Sequence, residues 1–186
     1  MTEPMDDRLL TAPRDPELAQ RMARLRALGL DGHQPLQEFD EFAAKVAEIV
    51  KTPYAMVNFI GDRGQYLSGL YTPGNASAAL QAAVQPQPDL PREWTPDYGF
   101  CPHVVVRRKA LVLDDVCDYP RFAGNPFVDR MGVRSYMGAP LIDRTGTALG
   151  TVCVVDSEPR PWGRPGLSTI KNLAAELMEL INRREQ

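Results

Sequence analysis

Apolar side chains recur every three or four residues in three stretches of the chain, a spacing typical of amphipathic helices. The first stretch ends at Gly29, which favours helix termination, and the second lies between Pro35 and Pro53. The third stretch lies near the C-terminus. In chain order, the stripes are Leu18, Met22, Leu25 and Leu28; Leu36, Phe39, Phe42, Val46, Ile49 and Val50; and Leu167, Ile170, Leu173, Leu177, Leu180 and Ile181.

Shorter apolar runs, many of them rich in β-branched residues, predict about six strands. The first two runs flank the turn "GDRG" and the last two flank "DRTGT", so each pair is expected to form an antiparallel hairpin. Between the fourth and fifth runs, Asn125 and Pro126 predict the start of a short helix that ends at Gly132. The predicted strands are 54–60, 65–70, 100–106, 110–113, 135–142 and 148–155.

Two stretches lack a clear apolar period. Residues 1–16 carry several charges and prolines, so we predict a flexible tail. Residues 72–97 are rich in proline, alanine and glutamine, and we predict a long insertion or lid that forms a mobile cover over or beside a pocket. The remaining pattern predicts one domain over residues 17–186.

Composition and charge narrow the classes of function. The chain has 186 residues, 44% of them hydrophobic and 24% charged, which is typical of a single soluble domain. The sequence contains neither an apolar run long enough for a membrane span nor a secretory signal, so a cytoplasmic location is expected. A net charge of −3 and only short basic pairs give no indication of nucleic-acid binding.

The three cysteines, Cys101, Cys117 and Cys153, are an odd number and indicate free thiols in a reducing compartment. The sequence contains no CxxC, HExxH or GxSxG motif and no glycine-rich phosphate loop. We therefore predict no metal site, no cofactor and no catalytic residue.

Several segments resemble the GAF domain family, most clearly "FCPH", "LVLDDV", "RFAGNPFV" and "RSYMGAPLIDRTGTALGTVCVVD". The resemblance covers roughly residues 20 to 184 and is interrupted by 72–97. It implies an α+β, PAS-like fold: a central antiparallel sheet of about six strands, N- and C-terminal helices on one face and a small-molecule pocket on the other. It also implies a non-catalytic sensing or signal-transduction module, which would act on a partner protein in trans or through dimerisation.

The predicted strand 100–106 is expected to border the pocket implied by the resemblance, with Cys101 and His103 on the same face of the strand. A Cys–His pair at this spacing is compatible either with a reactive thiolate or with an inert thiol packed beside a histidine. For the aromatic residues of "RFAGNPFV", the alternative to a pocket is a face closed by those side chains themselves. The predicted pocket residues are Phe100, Cys101, His103, Asp115, Phe122, Asn125, Phe127, Tyr136 and Gly138.

One branch of the GAF family reduces free methionine sulfoxide with cysteines, and Cys101 resembles one of them. The second cysteine is expected within "RFAGNPFV", which contains none, and Cys117 precedes that segment. A thiol-based reductase or redox sensor is therefore the alternative function. The bilin-attachment and cyclic-nucleotide patterns of other branches are not reproduced by "DVC" or "NPFVD".

Two charged features have structural interpretations. Asp114 and Asp115 are adjacent at a strand end, where aspartates cap turns more often than they form an acid–base pair. Arg134 is expected to be solvated or to pair with a loop aspartate, with binding of an anionic ligand as the alternative.

Two further predictions concern surfaces. Tyr136 and Gly138 share one face of their strand and Met137 and Ala139 the other, so one of these sets should line the pocket. The C-terminal apolar stripe is wide, which predicts that the helices at 17–28 and 167–181 pack side by side and form a homodimer surface. The alternative is a monomer whose sheet buries the whole stripe.

Overall fold

The computed structural model describes residues 13–72 and 91–185, and its elements are numbered within those ranges. The strands are β1 Tyr54–Gly61, β2 Gly64–Tyr71, β3 Glu93–Trp94, β4 Leu111–Leu113, β5 Ser135–Ile142 and β6 Ala148–Asp156. The α-helices are α1 Leu18–Ala27, α2 Gln37–Val50, α3 Cys101–Arg107, α4 Pro120–Ala123, α5 Pro126–Met131 and α6 Gly163–Asn182. Two 3₁₀ turns span Val116–Asp118 and Arg183–Glu185.

The six strands form one antiparallel sheet in the order β3-β2-β1-β6-β5-β4. Strands β1 and β6 are central, and their side chains are buried on both faces because helices cover both sides of the sheet. This burial explains why the two strands read as continuous apolar runs rather than as alternating ones. The predicted α+β fold with about six strands is confirmed.

Helices α1, α2 and α6 cover one face of the sheet, as expected for the N- and C-terminal helices. The apolar stripe of α6 is almost entirely buried there, with Leu177 and Ile181 fully enclosed. Full burial of each such side chain contributes about 1.5–3 kcal/mol, so this stripe is a main anchor of the helical layer. The core of this face includes Ala55, Val57, Phe59, Met137, Ala139, Leu141, Val152 and Val154.

Helix α2, rather than α1, packs alongside α6. Helix α1 contacts β1 and β6 and reaches the end of α6 through polar contacts. Arg24 pairs with Glu185 at 2.6 Å and with Asp143 at 2.5 Å, and the Arg184 side chain donates to the Leu28 carbonyl at 3.1 Å. The side-by-side arrangement predicted for the two terminal helices is therefore wrong, because the helix that packs alongside α6 is α2 and α1 packs on β1 and β6.

The predicted strand at 100–106 is wrong, because Cys101–Arg107 forms helix α3. The three consecutive valines favour a strand by propensity, but Pro102 suits the first turn of a helix, where its missing N–H removes no hydrogen bond. Cys101, Val104 and Val105 then fall at helical spacing and pack on the sheet. The sixth strand is instead β3, which pairs with β2 inside the stretch predicted as an insertion.

The described part of that stretch, residues 91–97, is fixed to the sheet and to α2. Trp94 is buried, and the Arg92 guanidinium donates to both carboxylate oxygens of Asp40 at 3.1 and 3.2 Å. The predictions of a flexible tail and a mobile lid concern mainly residues 1–12 and 73–90, which lie outside the described residues.

The predicted short helix after Asn125 is confirmed as α5. The Asn125 side chain accepts a hydrogen bond from the Phe127 amide at 3.0 Å, which is the geometry of an N-cap. Gly132 ends the helix with φ 64°, a left-handed conformation that glycine adopts without steric cost.

Candidate functional site

The candidate site lies on the face of the sheet opposite α1, α2 and α6. Helices α3, α4 and α5 cover this face, and α3 packs directly on β5 and β6. Their buried apolar side chains meet Met56, Tyr136 and Cys153, which point to this side of the sheet. The sets predicted from strand alternation are thereby assigned: Tyr136 faces this side, whereas Met137 and Ala139 face the helical layer.

Aromatic side chains fill the region beneath the three short helices. The ring of Phe100 lies edge-on to Phe122, Phe127 and Tyr136, with centroid distances of 5.4, 5.9 and 5.1 Å. All four residues are buried, and edge-to-face contacts of this kind add about 0.5–1.5 kcal/mol per pair to their burial. Four of the predicted pocket residues therefore pack against one another. This is the alternative to a pocket that the sequence allowed, in which the aromatic side chains themselves fill the face.

A small cavity borders this aromatic cluster beside Phe127. Its volume is about 10 Å³, and its walls include Tyr54, Met131, Val133 and Val155. A volume of that size accommodates no more than one water molecule. A larger ligand beside Phe127 requires the aromatic side chains and the short helices to move apart.

A cluster of polar groups lies at the centre of this apolar face, around the sulfur of Cys101. The Sγ atom is 3.6 Å from Cys153 Sγ and 3.3 Å from the Tyr136 hydroxyl. The Thr151 hydroxyl donates to it at 3.1 Å. All four residues are buried, so these contacts are shielded from solvent. We call Cys101, Tyr136, Thr151 and Cys153 the thiol cluster.

Gly138 makes room for the Tyr136 ring within the thiol cluster. The two residues share a strand face, and Gly138 pairs with Cys153 across the β5–β6 hairpin. A Cβ atom on Gly138 would lie 2.1 Å from the Tyr136 hydroxyl oxygen, far closer than any van der Waals contact. The glycine therefore allows the phenol to lie along the strand with its hydroxyl toward the thiols.

The two buried thiols differ in their tendency to ionise. Hydrogen bonds from Cys153, and then from Thr151 and Tyr136, lower the pKa of the Cys101 thiol against the opposing effect of burial. Hydrogen bonding to Cys101 and burial raise the pKa of the Cys153 thiol well above its ordinary value. Burial also raises the pKa of Tyr136. A negative charge in the cluster is therefore best placed on Cys101, with the other groups as donors.

His103 does not pair with Cys101, because two residues along a helix point in different directions. Its ring is buried and lies edge-on to Phe122 at 5.4 Å, and its Nδ1 atom has no hydrogen-bond partner among the described residues. Burial, with the nearby charges of Arg121 and Arg107, lowers the pKa of His103 to about 4. The imidazole is therefore neutral at physiological pH.

The amide of Asn125, predicted to contact a ligand, is occupied by backbone groups. Its Oδ1 accepts from the amides of Gly99 and Phe127 at 3.1 and 3.0 Å, and its Nδ2 donates to the Gly99 carbonyl at 3.0 Å. Asn125 thus joins the start of α5 to the loop that leads into α3 and Cys101.

Asp115 and Arg134 form a surface pair at the edge of this face. The Asp115 carboxylate accepts from the Cys117 amide at 3.1 Å and pairs with the Arg134 guanidinium at 3.0 Å. The hydrogen bond from Arg134 lowers the pKa of Asp115. Asp114 accepts from the Gly163 amide at the start of α6. Both aspartates therefore have the structural roles expected from the sequence, and Cys117 is exposed beside them.

A second concave region, not predicted from the sequence, lies on the helical face between α6 and the β4–β5 edge. This groove has a volume of about 740 Å³, which is within the range of small-molecule sites. Its floor is apolar and includes Ala139, Pro140 and Met178, and its rim includes the cations Lys109 and Lys171. It is a separate candidate for ligand or protein contact.

Within residues 13–72 and 91–185, no three His, Cys, Asp or Glu side chains are grouped in a way that would hold a metal ion. The described helices also include none with the length and apolar character needed to cross a membrane.

The family model of the GAF domain matches residues 34–181, which is most of the chain. This chain belongs to the GAF domain family. GAF domains are sensing and signalling modules, in agreement with the resemblance found in the sequence.

Known proteins similar to this GAF domain include a cyclic di-GMP phosphodiesterase of Pseudomonas aeruginosa, which is 27% identical over 176 residues. The match covers 94% of this chain but only 27% of that relative's length. Two solved structures are similar in fold. They are the GAF domain of an Acinetobacter phosphoenolpyruvate-protein phosphotransferase and the free methionine-R-sulfoxide reductase of Neisseria meningitidis.

The first structure has a TM-score of 0.56 and 15% identity, and the match covers 88% of this chain and 94% of the other. The second has a TM-score of 0.58 and 14% identity, with 95% and 96% covered. At these identities, the similarity supports the fold of this GAF domain and not a shared activity.

Sequence reasoning did not place Cys153 or Thr151 in the site. Both side chains point to the α3 side of β6, two residues apart, as strand alternation requires. The predicted β5–β6 hairpin could have placed Cys153 in the site, because its register sets Cys153 opposite the predicted pocket residue Gly138. The missing step was the position of Cys101, which depends on α3 being a helix.

Proposed function

We propose that this GAF domain is a non-catalytic sensing module that binds a small molecule beneath α3, α4 and α5. The observation that carries the proposal is a pair of buried polar atoms on this face, Asn58 Oδ1 and His103 Nδ1, which have no hydrogen-bond partner among the described residues. A buried polar atom without a partner costs about 1–3 kcal/mol, and a ligand with a complementary donor or acceptor would recover that cost.

The cover of this face is suited to local opening. Its three helices have seven, four and six residues, and helices shorter than about 12 residues depend on tertiary packing for their stability. Ligand entry would exchange aromatic contacts within the cover for contacts with the ligand. The sheet beneath, which is hydrogen-bonded along β1, β5 and β6, would stay intact.

A route for output follows from the two-sided packing of β5 and β6. Helix α3 contacts these strands from the ligand side, and α6 contacts them from the other side. A movement of α3 would thus displace β5 and β6 and, through these strands, α6. Helix α6 offers a surface to a second copy of the chain or to a signalling partner. The buried stripe of α6 is used within one chain, so contact with a partner would involve its exposed side, including Lys171, Ala175 and Glu179.

The alternative function is a thiol-based reductase, and the contact between Cys101 and Cys153 favours thiol chemistry of some kind. Steady turnover requires a reductant to regenerate the thiol after every cycle, and both cysteines of the thiol cluster are buried. The single exposed cysteine among the described residues, Cys117, lies outside the thiol cluster. We therefore assign sensing, rather than turnover, as the function.

Native mass spectrometry of the purified protein tests this proposal. We expect the folded chain, as purified or after incubation with a low-molecular-mass cell extract, to carry a small molecule that is lost on denaturation. His103→Leu, which removes a polar atom from the site, should lower the bound fraction, whereas His33→Asn on the other side of the sheet should not. A wild-type chain that carries no small molecule under either condition would contradict the proposal.

A further inference from the structure

We propose that Cys101 and Cys153 are a redox-active pair that a hydroperoxide converts into an intramolecular disulfide. This inference goes beyond the proposed small-molecule binding and does not depend on it. Its basis is the thiol cluster, in which two cysteines from different elements, α3 and β6, are in direct contact.

The sulfur atoms are close enough to bond after a small adjustment. Their separation is 3.6 Å, and a disulfide bond of about 2.05 Å requires them to approach by roughly 1.5 Å. Cys101 lies at the start of a seven-residue helix and Cys153 lies in a central strand. The helix is therefore the element that would move, and the sheet would be preserved.

The groups around the pair assign different roles to the two thiols. Thr151 and Tyr136 direct their hydroxyls at Cys101 Sγ at 3.1 and 3.3 Å. These donors favour the thiolate of Cys101, which is the attacking group in thiol oxidation. Cys153 stays protonated beside it and is positioned to resolve the oxidised form.

The oxidation of the two thiols proceeds in two steps. First, local opening of the short helices admits the hydroperoxide to the buried sulfur, and the Cys101 thiolate attacks its terminal oxygen; an S–O bond forms, the O–O bond breaks, and the alkoxide leaves as an alcohol after taking up a proton. Cys101 is then a sulfenic acid. Second, the sulfur of Cys153 attacks that of Cys101; an S–S bond forms, the S–O bond breaks, and hydroxide leaves as water with the proton of Cys153. Two thiols are oxidised, and one hydroperoxide is reduced to an alcohol and water.

The disulfide would connect the cover of the site to the sheet. Cys101 follows Phe100, whose ring contacts Phe122, Phe127 and Tyr136. Drawing Cys101 toward β6 therefore changes the packing of the aromatic cluster, and oxidation becomes an input to the same elements that would respond to a ligand.

Hydrogen peroxide treatment of the Cys117→Ser chain tests the inference without interference from the exposed cysteine. After treatment, the protein is denatured, alkylated with N-ethylmaleimide and weighed intact. We expect two alkylated thiols before oxidation and none after it, a chain lighter by two hydrogen atoms, and full recovery with dithiothreitol. Peptide mapping should show Cys101 joined to Cys153.

Two variants in this background separate the roles of the groups. Cys153→Ala should stop the reaction at a sulfenic acid on Cys101, which dimedone traps. Thr151→Val should slow oxidation roughly tenfold, because the hydroxyl that donates a hydrogen bond to the Cys101 sulfur is removed. If both thiols remain fully alkylated in folded protein, under peroxide conditions that oxidise Cys117 in the wild type, the inference is overturned.

Discussion

Replacing Asn125 by alanine removes the side chain that holds the start of α5 to the loop before α3. Three backbone groups lose their partners: the amides of Gly99 and Phe127 and the carbonyl of Gly99. Loss of an N-cap costs about 1 kcal/mol. The buried Gly99 groups add about 1 kcal/mol each when left without partners. We therefore expect the free energy of unfolding to fall by about 3 kcal/mol.

Urea unfolding followed by far-ultraviolet circular dichroism measures this change. Asn125→Asp is the matched variant: it keeps the acceptor for Gly99 and Phe127 but places an oxygen against the Gly99 carbonyl, so its cost should be intermediate. Thr95→Ala, which removes an exposed hydrogen bond to Asp97, should change stability by less than about 0.5 kcal/mol. A loss below about 1 kcal/mol for Asn125→Ala would refute the reasoning that this amide serves the backbone.

Four further predictions follow from the same structure. Gly138→Ala should lower the free energy of unfolding by about 2 kcal/mol, because the new Cβ displaces the Tyr136 ring; unchanged urea unfolding and near-ultraviolet dichroism would contradict it. The pKa of His103, about 4, lies below its ordinary value of 6.5, so the unfolded chain binds the proton more readily. Stability should therefore be full above pH 6.5 and fall toward pH 4, by about 2 kcal/mol more in the wild type than in His103→Leu; equal slopes would contradict the assignment. The protein should not turn over methionine sulfoxide with a thiol reductant, and steady reduction abolished by Cys101→Ser would show that it is an enzyme. The protein should form a dimer that Ala175→Arg weakens, whereas a wild-type monomer in sedimentation equilibrium would leave a different protein as the only output partner.

Local patterns were sufficient for most of the fold. The hairpins β1–β2 and β5–β6 and the helices α1, α2 and α6 were predictable because apolar period and turn residues agreed at each of them. The N-cap of α5 was readable from Asn125 and Pro126 alone. Each of these features depends on residues that are close together in the chain.

The errors arose where distant contacts decide the structure. In 101–107, three valines favour a strand, but packing on β5 and β6 makes the segment a helix. Strand β3 has two residues, too few to show alternation, and exists through its pairing with β2. The thiol cluster joins residues 52 positions apart, so its existence follows only once α3 is known to lie on the sheet.

The groove beside α6 and the face beneath α3 to α5 are two places where this GAF domain could receive a small molecule. The groove is open at about 740 Å³, whereas the opposite face is closed by aromatic side chains. We assign the input to the closed face, where two buried polar atoms, Asn58 Oδ1 and His103 Nδ1, lack partners among the described residues; the groove is lined by one residue with such an atom, Asn182.

Two-dimensional amide NMR of the isotopically labelled protein, before and after addition of an unlabelled low-molecular-mass cell extract, tests this assignment most directly. We expect shifts concentrated in residues 97–107 and 120–133, with smaller shifts along β5 and β6. Shifts confined to the groove, at Ala139, Lys171 and Met178, or no shifts at all, would contradict it.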